Sequence, residues 1–534
     1  MNTRFCLAVS AFALALSSAP AVAQHAGHPG MVMPPPAKKI VPAKKMTASK
    51  SAAKRPVAKK AAAKPSAPRR ATAKPAASTA PVARRVTGIL EAQPPLQPPG
   101  AELMPVDHSG HQAPSASPAP SAELPVVDHS QMDHSTAASP GMADHAGHSG
   151  MVGALGPYPN AREASATAWQ PDTSDHLGIM MRSGDWMLMT HGVLNLVYDR
   201  QGGRRGDDKL FAAGMAMGMA QRPFGNGQLQ FKAMLSPDPL MGARGYPLLL
   251  ASGETADGET RLVDRQHPHD FFMELSTSIS QNLGANSSVF LYVGLPGAPA
   301  FGPPAFMHRE AIMDSPEAPI SHHWLDSTHI SFGVLTAGVI LDRVKLEVSR
   351  FNGREPDEKR WDIETGPLDS TALRASWNPT AELSLQGSWA HFEDPEALEP
   401  GVDQKRWSAS ALYAKQIAPN MKLAGALAWG RKTAEGNKDD AFTAEASLKT
   451  GSWTAFARGE MAENRELLDE ADHGAAYRVG KLSIGTIRDF RISENVKLGA
   501  GGLVAVNFLP SELAPVYGGH NPLAAMAFLR LKVD

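Results

Sequence analysis

The sequence has a single cysteine, Cys6, and it lies in a segment that reads as a secretory leader. Arg4, an apolar run from Leu7 to Leu16, and Ala21-Val22-Ala23 before Gln24 predict cleavage after Ala23. The exported chain then has no thiol for a disulfide, a thiolate metal site or a sulfur nucleophile, and sulfur chemistry falls to methionine, present 23 times. Long hydrophobic runs are also missing. Nowhere beyond the leader do about 18 to 20 apolar residues follow one another, as a spanning helix needs, so a mature chain that crosses a membrane crosses it with strands. Aromatic residues make up only 6% of the chain and are nearly absent before residue 175, which excludes a packed core there. Acidic residues are absent from Lys38 to Arg85, where fifteen Lys or Arg occur. The net charge of −1 is therefore an average over unlike regions.

Residues 24 to about 175, rich in Ala, Pro, Ser, Lys, His and Gly, read as a disordered tail. A first patch carries His25, His28, Met31 and Met33; a second, beyond the basic stretch and a Pro-rich spacer, carries His108, His111, His129, Met132, His134, Met142, His145, His148 and Met151. Eight of the 19 histidines fall in this coreless region, where no packing role explains them. Three near-repeats, His25-Ala-Gly-His28, His108-Ser-Gly-His111 and His145-Ala-Gly-His148, set two imidazoles three residues apart, within reach of one ion on a flexible chain. Imidazole suits Cu(II), Ni(II) and Zn(II), and thioether selects soft ions such as Cu(I), so the mixture favours copper in both oxidation states, with silver able to substitute. Asp107, Asp128, Asp133 and Asp144 precede several of these histidines and are placed to orient their rings. The competing reading is a low-complexity stalk. For the basic stretch, a solvated spacer competes with adhesion to anionic lipid or cell-wall polymer; an exported chain is not expected to meet nucleic acid.

From about residue 176 to 534 the pattern changes to segments of about ten residues alternating apolar and polar, the signature of strands wet on one face. Phe442, Ala444, Ala446 and Leu448 oppose Thr443, Glu445, Ser447 and Lys449; Leu529, Leu531 and Val533 oppose Arg530 and Lys532; Met273, Leu275, Thr277 and Ile279 oppose Glu274, Ser276, Ser278 and Ser280. Short turns, such as Gly284-Ala285-Asn286 and Asp342-Arg343, alternate with longer loops, among them Ser236 to Asp270, Pro296 to Thr328 and Lys432 to Asp439. That rhythm predicts a transmembrane antiparallel β-barrel of about sixteen strands, all-β, with both termini on the periplasmic side. A soluble sandwich or solenoid alternates too, but offers no reason for the two loop lengths to alternate.

Two long loops concentrate polar chemistry: Asp264, Arg265, His267, His269 and Asp270 in one, and Met307, His308, Glu310, Met313, Asp314, His322, His323 and Asp326 in the next, which ends at His329. Both emerge at one mouth, so the residues are able to converge as a metal site, or to serve as ordinary hydrogen-bonding groups constricting a pore. In the first strands, Met187, Met189 and His191 share a face with Asn195 and Asp199, which predicts that they look into the lumen. Met215, Met217 and Met219 share a face of the next strand, and Met234 lies on the third. Together they form a soft-ligand ladder, unless the second strand turns its methionines to lipid. No nucleophile-elbow or zincin motif is present, and no catalytic residues or organic cofactor are expected.

The layout of leader, tail with units such as Asp128-His129-Ser130-Gln131-Met132-Asp133-His134, and barrel resembles the outer-membrane copper-resistance B family. The resemblance implies a role in copper tolerance: metal captured by a periplasmic tail and held or passed outward by the barrel, with lipid and metal ions as partners. Two other readings stand beside it, a general diffusion porin whose tail tethers it to the cell wall and a barrel-embedded hydrolase.

Overall fold

A computed structural model describes residues 151–175, 178–468 and 475–534. The tail candidates His25, His28, His108, His111, His129, Met132, His134, Met142, His145 and His148 lie outside the described residues. In chain order the strands are β1 (Ile179–Ser183), β2 (Trp186–Gln201), β3 (Asp208–Phe224), β4 (Gly227–Leu235), β5 (Tyr246–Thr255) and β6 (Arg261–Gln266). Then come β7 (Phe272–Gly284), β8 (Ser287–Gly297), β9 (Ser331–Leu341), β10 (Val344–Phe351), β11 (Ser370–Trp377), β12 (Leu383–Phe392) and β13 (Gln404–Ala418). The last are β14 (Met421–Ala434), β15 (Asn437–Thr450), β16 (Trp453–Asn464), β17 (Tyr477–Ser493), β18 (Val496–Phe508) and β19 (Leu523–Val533).

Sixteen of these form one closed antiparallel wall; β5 and β6 pair separately, and β1 continues the edge of β2 below β19. Closure runs from Val533 opposite Gly192 to Ala524 opposite Gln201. It leaves no wall edge unpaired, the condition for a sheet in hydrocarbon. Alternation sets the two faces. On β10, Lys345, Glu347 and Ser349 are buried inward while Val344, Leu346 and Val348 face out; on β15, Thr443, Glu445 and Ser447 point inward and Phe442 is exposed. Several of the exposed aromatics lie at the rims. Trp377, Trp453 and Phe490 lie near the short-turn end, and Tyr198, Trp407, Phe442 and Phe508 near the long-loop end, all roughly half exposed. Arg488 stacks over Trp453 and Phe490 at 5.4 and 4.9 Å, an amphipathic arrangement suited to a membrane boundary. The chain is an outer-membrane-type β-barrel.

Three boundaries differ from those read in the sequence. The segment Lys432 to Asp439 is no long loop: β14 and β15 continue to a two-residue turn in which Glu435 and Gly436 have φ of 50° and 85°. Two successive positive φ values are what a tight hairpin twisted with its strands requires. Met273 does not join the outward face of Leu275. The register skips it, pairing Met234 with Glu274 and Leu235 with Phe272, and this bulge turns Met273 fully inward.

The third difference is the end of the tail. Residues 151–175, assigned to it on composition, instead pack inside the short-turn end of the wall. Leu155, Tyr158 and Trp169 form a buried cluster with Phe290 of β8 and Ile340 of β9. Tyr158 meets Trp169 edge-on at 5.2 Å, and Arg162 and Lys345 each sit 4.9 Å from the Trp169 ring. The backbone is tied in as well: Ser280 and Ser288 donate to the carbonyls of Ala154 and Leu155 at 2.8 and 2.7 Å. Composition misled because two aromatic rings with a ready-made polar wall anchor a segment too poor to fold alone. Trp169→Ala should remove about 3–5 kcal/mol of packing and free this segment, so that trypsin cuts after Arg162 in the otherwise folded barrel; continued protection of Arg162 would refute the anchoring role.

Candidate metal centre

The segment 298–330 folds into the lumen because charged groups pin it there. Arg309 donates to both carboxylate oxygens of Glu445 at 2.7 Å and also to Asp326 of its own segment; Arg458 reaches Glu445 at 3.3 Å. Glu310 pairs with Lys422 at 2.6 Å, Glu317 with Lys481, and Asp314 with Arg530. Ser321 donates to Glu460 at 2.8 Å. These wall partners lie on β14 to β17 and β19, and Ser349, Arg374, Ser388 and Arg406 of β10 to β13 add hydrogen bonds to the same segment. Segment 236–271, with its β5–β6 hairpin, packs on it through Leu248, Leu249 and Leu250 against Phe306, Ile312 and Ile320, and the Tyr246 hydroxyl accepts from the Ala318 amide at 2.9 Å.

This packing gathers five imidazoles from the two segments. Ring centres are 6.2 Å apart for His267 and His322, 5.6 Å for His267 and His323, 5.0 Å for His269 and His329, and 5.2 Å for His322 and His329. All five are buried. Acidic neighbours hold most of the rings: Asp238 contacts His269 at 2.9 Å, Asp326 contacts His322 at 2.8 Å, Glu254 contacts His267 at 3.1 Å and Glu355 contacts His323 at 3.3 Å. The backbone of Gly253, at φ 118°, passes so close to His323 that a Cβ there would meet the ring at 2.6 Å, which leaves glycine as the residue that fits.

Burial, reinforced by neighbouring positive groups, pushes His267 and His329 well below the usual imidazole range. Burial also lowers His322, against the pull of Asp326. His323 goes the other way: its burial is outweighed by Glu355, which raises it. Neutral imidazole is the ligand form, so three of the five are kept in it at neutral pH. Among the described residues, the groups of three ligand atoms already within 4.8 Å of one another are two others, His391–Glu393–Asp403 and Asp357–Asp362–Glu364. Each includes exposed members with water as a ready partner. The imidazole cluster is a more open set whose rings must turn to share an ion.

Beside it runs a thioether wall. Met189 stands opposite Met219, His191 opposite Met217, and Met217 opposite Met234. Met215, Met234 and Met273 are buried together, with Met217 and Met307 packed against them. The second-strand methionines therefore face the lumen, and Gly218 takes the outward position. A cavity of about 80 Å³ lies between the two chemistries, lined by His191, Met215, Asp238, His267, His269 and Met307 among others. It has room for several waters.

Of the residues singled out in the sequence, His267, His269, His322 and His323 converge, while Met307 and His308 turn toward the methionine wall. Met189 and His191 are buried on that wall and Met187 is half-buried; Met151 is half-buried, and its carbonyl accepts from Asn160 at 3.0 Å. Sequence reasoning missed Asp238 and Glu254 as partners, and left His329 and Met273 out of the site. For His329 the signal was present, since it follows His322 by seven residues in the same loop.

No protein-family model and no curated protein matches the chain. Among solved structures, it is similar to an anion-selective porin from Comamonas acidovorans (12% identity, 65% of this chain and 99% of that one, TM-score 0.39). It is similar also to Pseudomonas putida OprB (8%, 65% and 94%, TM-score 0.41) and to OmpT, an outer membrane protein of Vibrio cholerae (9%, 66% and 100%, TM-score 0.38).

Two outcomes test this geometry. Arg309→Met leaves Glu445 and Asp326 short of their shared cation, and should cost about 3–5 kcal/mol, read as a lower temperature for loss of the compact band in heat-modifiability gels; an unchanged transition would contradict the pinning. His308 is pushed down to about 3 by burial, with His191 and Lys232 adding to the shift. Because that value lies below the unfolded value of about 6.5, its contribution to stability is complete above about pH 6.5 and is lost as pH falls toward 3. The urea midpoint should drop between pH 6 and 4, and His308→Gln should flatten that slope.

Proposed function

We propose that the protein is an outer-membrane barrel that captures and handles a soft or borderline transition metal, copper foremost, without an enzymatic step. The observation that carries this reading is the lumen-facing wall of Met189, Met215, Met217, Met219, Met234 and Met273, which ends beside five buried imidazoles. Thioether is the soft ligand that selects Cu(I), and imidazole the borderline ligand that takes Cu(II). A cavity lined by both fits a cargo that changes oxidation state. The tail, with the same two donor types, is the collecting segment in this scheme, and a periplasmic location for it is supported by both termini of the wall lying at the short-turn end.

Methionine also fills gaps in ordinary cores. Here the thioethers form a row along the inward side of a membrane wall, buried with Ile330 and Phe332, on a face that elsewhere carries polar side chains together with rings such as Phe290, Phe351 and Phe456. A general diffusion porin would need a continuous wet channel. The lumen here is crossed by two segments whose side chains bury Arg309, Arg458 and Lys481 to 1% exposure or less.

Replacing Met215, Met217 and Met219 together by Leu keeps volume and apolarity and removes three thioethers. The purified full-length variant should fold with an unchanged melting temperature yet hold Cu(I) at least tenfold more weakly in competition with a chromophoric chelator, and cells carrying it should lose copper tolerance. Undiminished Cu(I) retention and tolerance would defeat the reading, as would large metal-independent conductance in planar bilayers.

A further inference from the structure

We propose that His269, His322 and His329 form a three-imidazole site for one divalent transition-metal ion, a specific centre within the metal-handling reading above, on which it rests. The five rings are not equivalent. His267 and His323 are each in contact with a glutamate. The other three, like His323, fix Nδ1 on an oxygen; what sets them apart is the unpartnered Nε2 that each presents to the interior. His269 Nδ1 meets the Asp238 carboxylate at 2.9 Å, His322 Nδ1 the Asp326 carboxylate at 2.8 Å, and His329 Nδ1 the Asp326 carbonyl at 2.7 Å. An oxygen acceptor on Nδ1 places the ring proton there and leaves the lone pair on Nε2, the form in which imidazole ligates.

Those three Nε2 atoms are buried with no hydrogen-bond partner. A buried polar atom left unsatisfied is costly and uncommon; three of them within one imidazole cluster point to a shared ligand. Spacing agrees. Two imidazoles on one tetrahedral ion, each at about 2.0–2.1 Å from the metal, have ring centres roughly 5 Å apart, and the centres of His269 and His322 lie 5.0 and 5.2 Å from that of His329. His329 is thus the shared member, and modest rotation of the flanking rings closes the set. Asp326 is the positioning residue: its carboxylate orients His322 and its carbonyl His329, while Arg309 holds it in place. Borderline divalent ions, Cu(II), Zn(II) and Co(II), match a neutral all-nitrogen donor set.

Co(II), whose visible absorption reports tetrahedral nitrogen ligation, is the probe. The full-length chain is used with its eight tail histidines (25, 28, 108, 111, 129, 134, 145 and 148) changed to Gln, so that the tail contributes no imidazole. This protein should bind one Co(II) with an intense tetrahedral spectrum. Single changes His269→Gln, His322→Gln and His329→Gln should each weaken binding at least a hundredfold and alter the spectrum. Asp326→Asn should weaken it about ten- to a hundredfold, and His391→Gln should leave it unchanged. Heat-modifiable migration confirms that each variant is folded. Absence of a tetrahedral Co(II) spectrum, or folded triad variants that bind as the parent does, would overturn the site, the Nε2 atoms then being satisfied by water. Loss of Cu(I) retention in the Met215, Met217 and Met219 variant with no effect of the triad would remove this centre alone; an intact triad with no copper phenotype would instead remove the metal-handling function.

Discussion

The structure depends on Arg309. A guanidinium with 1% of its side chain exposed is costly to bury unless every donor is met, and here Glu445 on the wall and Asp326 within the same segment meet it together. That double attachment fixes where segment 298–330 crosses the lumen. Because Asp326 also receives His322 and His329, the same guanidinium sets the angle of two imidazoles. Loss of such a pair costs more than its presence contributes, since the abandoned carboxylates stay desolvated. The geometry of the candidate centre is therefore tied to the stability of the plugged barrel, and neither can drift without the other.

A membrane wall makes this arrangement economical. The outward face must be apolar, so every charge of the wall strands is directed inward or to the rims. The inward face then offers an array of fixed cations and anions, among them Lys422, Glu445, Arg458, Glu460, Lys481 and Arg530. A segment carrying complementary charges in the right order docks against that array, with Glu310, Asp314 and Glu317 supplying that order at spacings of four and three residues, while Phe301, Trp324 and Leu325 pack on apolar patches of the same wall. The apolar contacts of Leu248, Leu249 and Leu250 then seal the second segment onto the first.

Much of this was legible in the sequence, and the failures have physical causes. Period-two alternation and the rhythm of short and long connections gave the sixteen-strand wall, because lipid enforces both. The shared face of Met187, Met189 and His191 with Asn195 and Asp199 correctly put the thioethers inside. The alternation failed at Met273, where a bulge adds a residue that no pattern of two can anticipate. It failed at Glu435-Gly436, where polar residues that look like a loop belong to extended strands above the membrane. Composition failed at residues 151–175, whose order comes from the wall and not from themselves. Convergence of His267 with His322 was foreseeable from their loops emerging at one mouth, but the pairing of Asp238 with His269 was not, since 31 residues separate them and nothing in either neighbourhood marks the other.

The strand register gives the donors a direction. Counting up from the short turn before β2, Met187 faces Gln221, Met189 faces Met219, His191 faces Met217 and Val193 faces Met215; at about 3.3 Å per residue the row climbs roughly 20 Å. Met234 stands level with Met217 near the end of β4, and Asp238, just beyond that strand, holds His269. The row is mainly thioether, with the His191 imidazole among its members, and the five clustered imidazoles lie beyond it. The foot of the row is also where the His/Met patch of the tail ends. Met151 is its last member, and the carbonyl of the next residue, Val152, accepts from Gln221 at 3.0 Å. On the metal-handling proposal, a tail whose His and Met residues end at that point would spare a readily oxidised ion such as Cu(I) passage through bulk water before the first thioether.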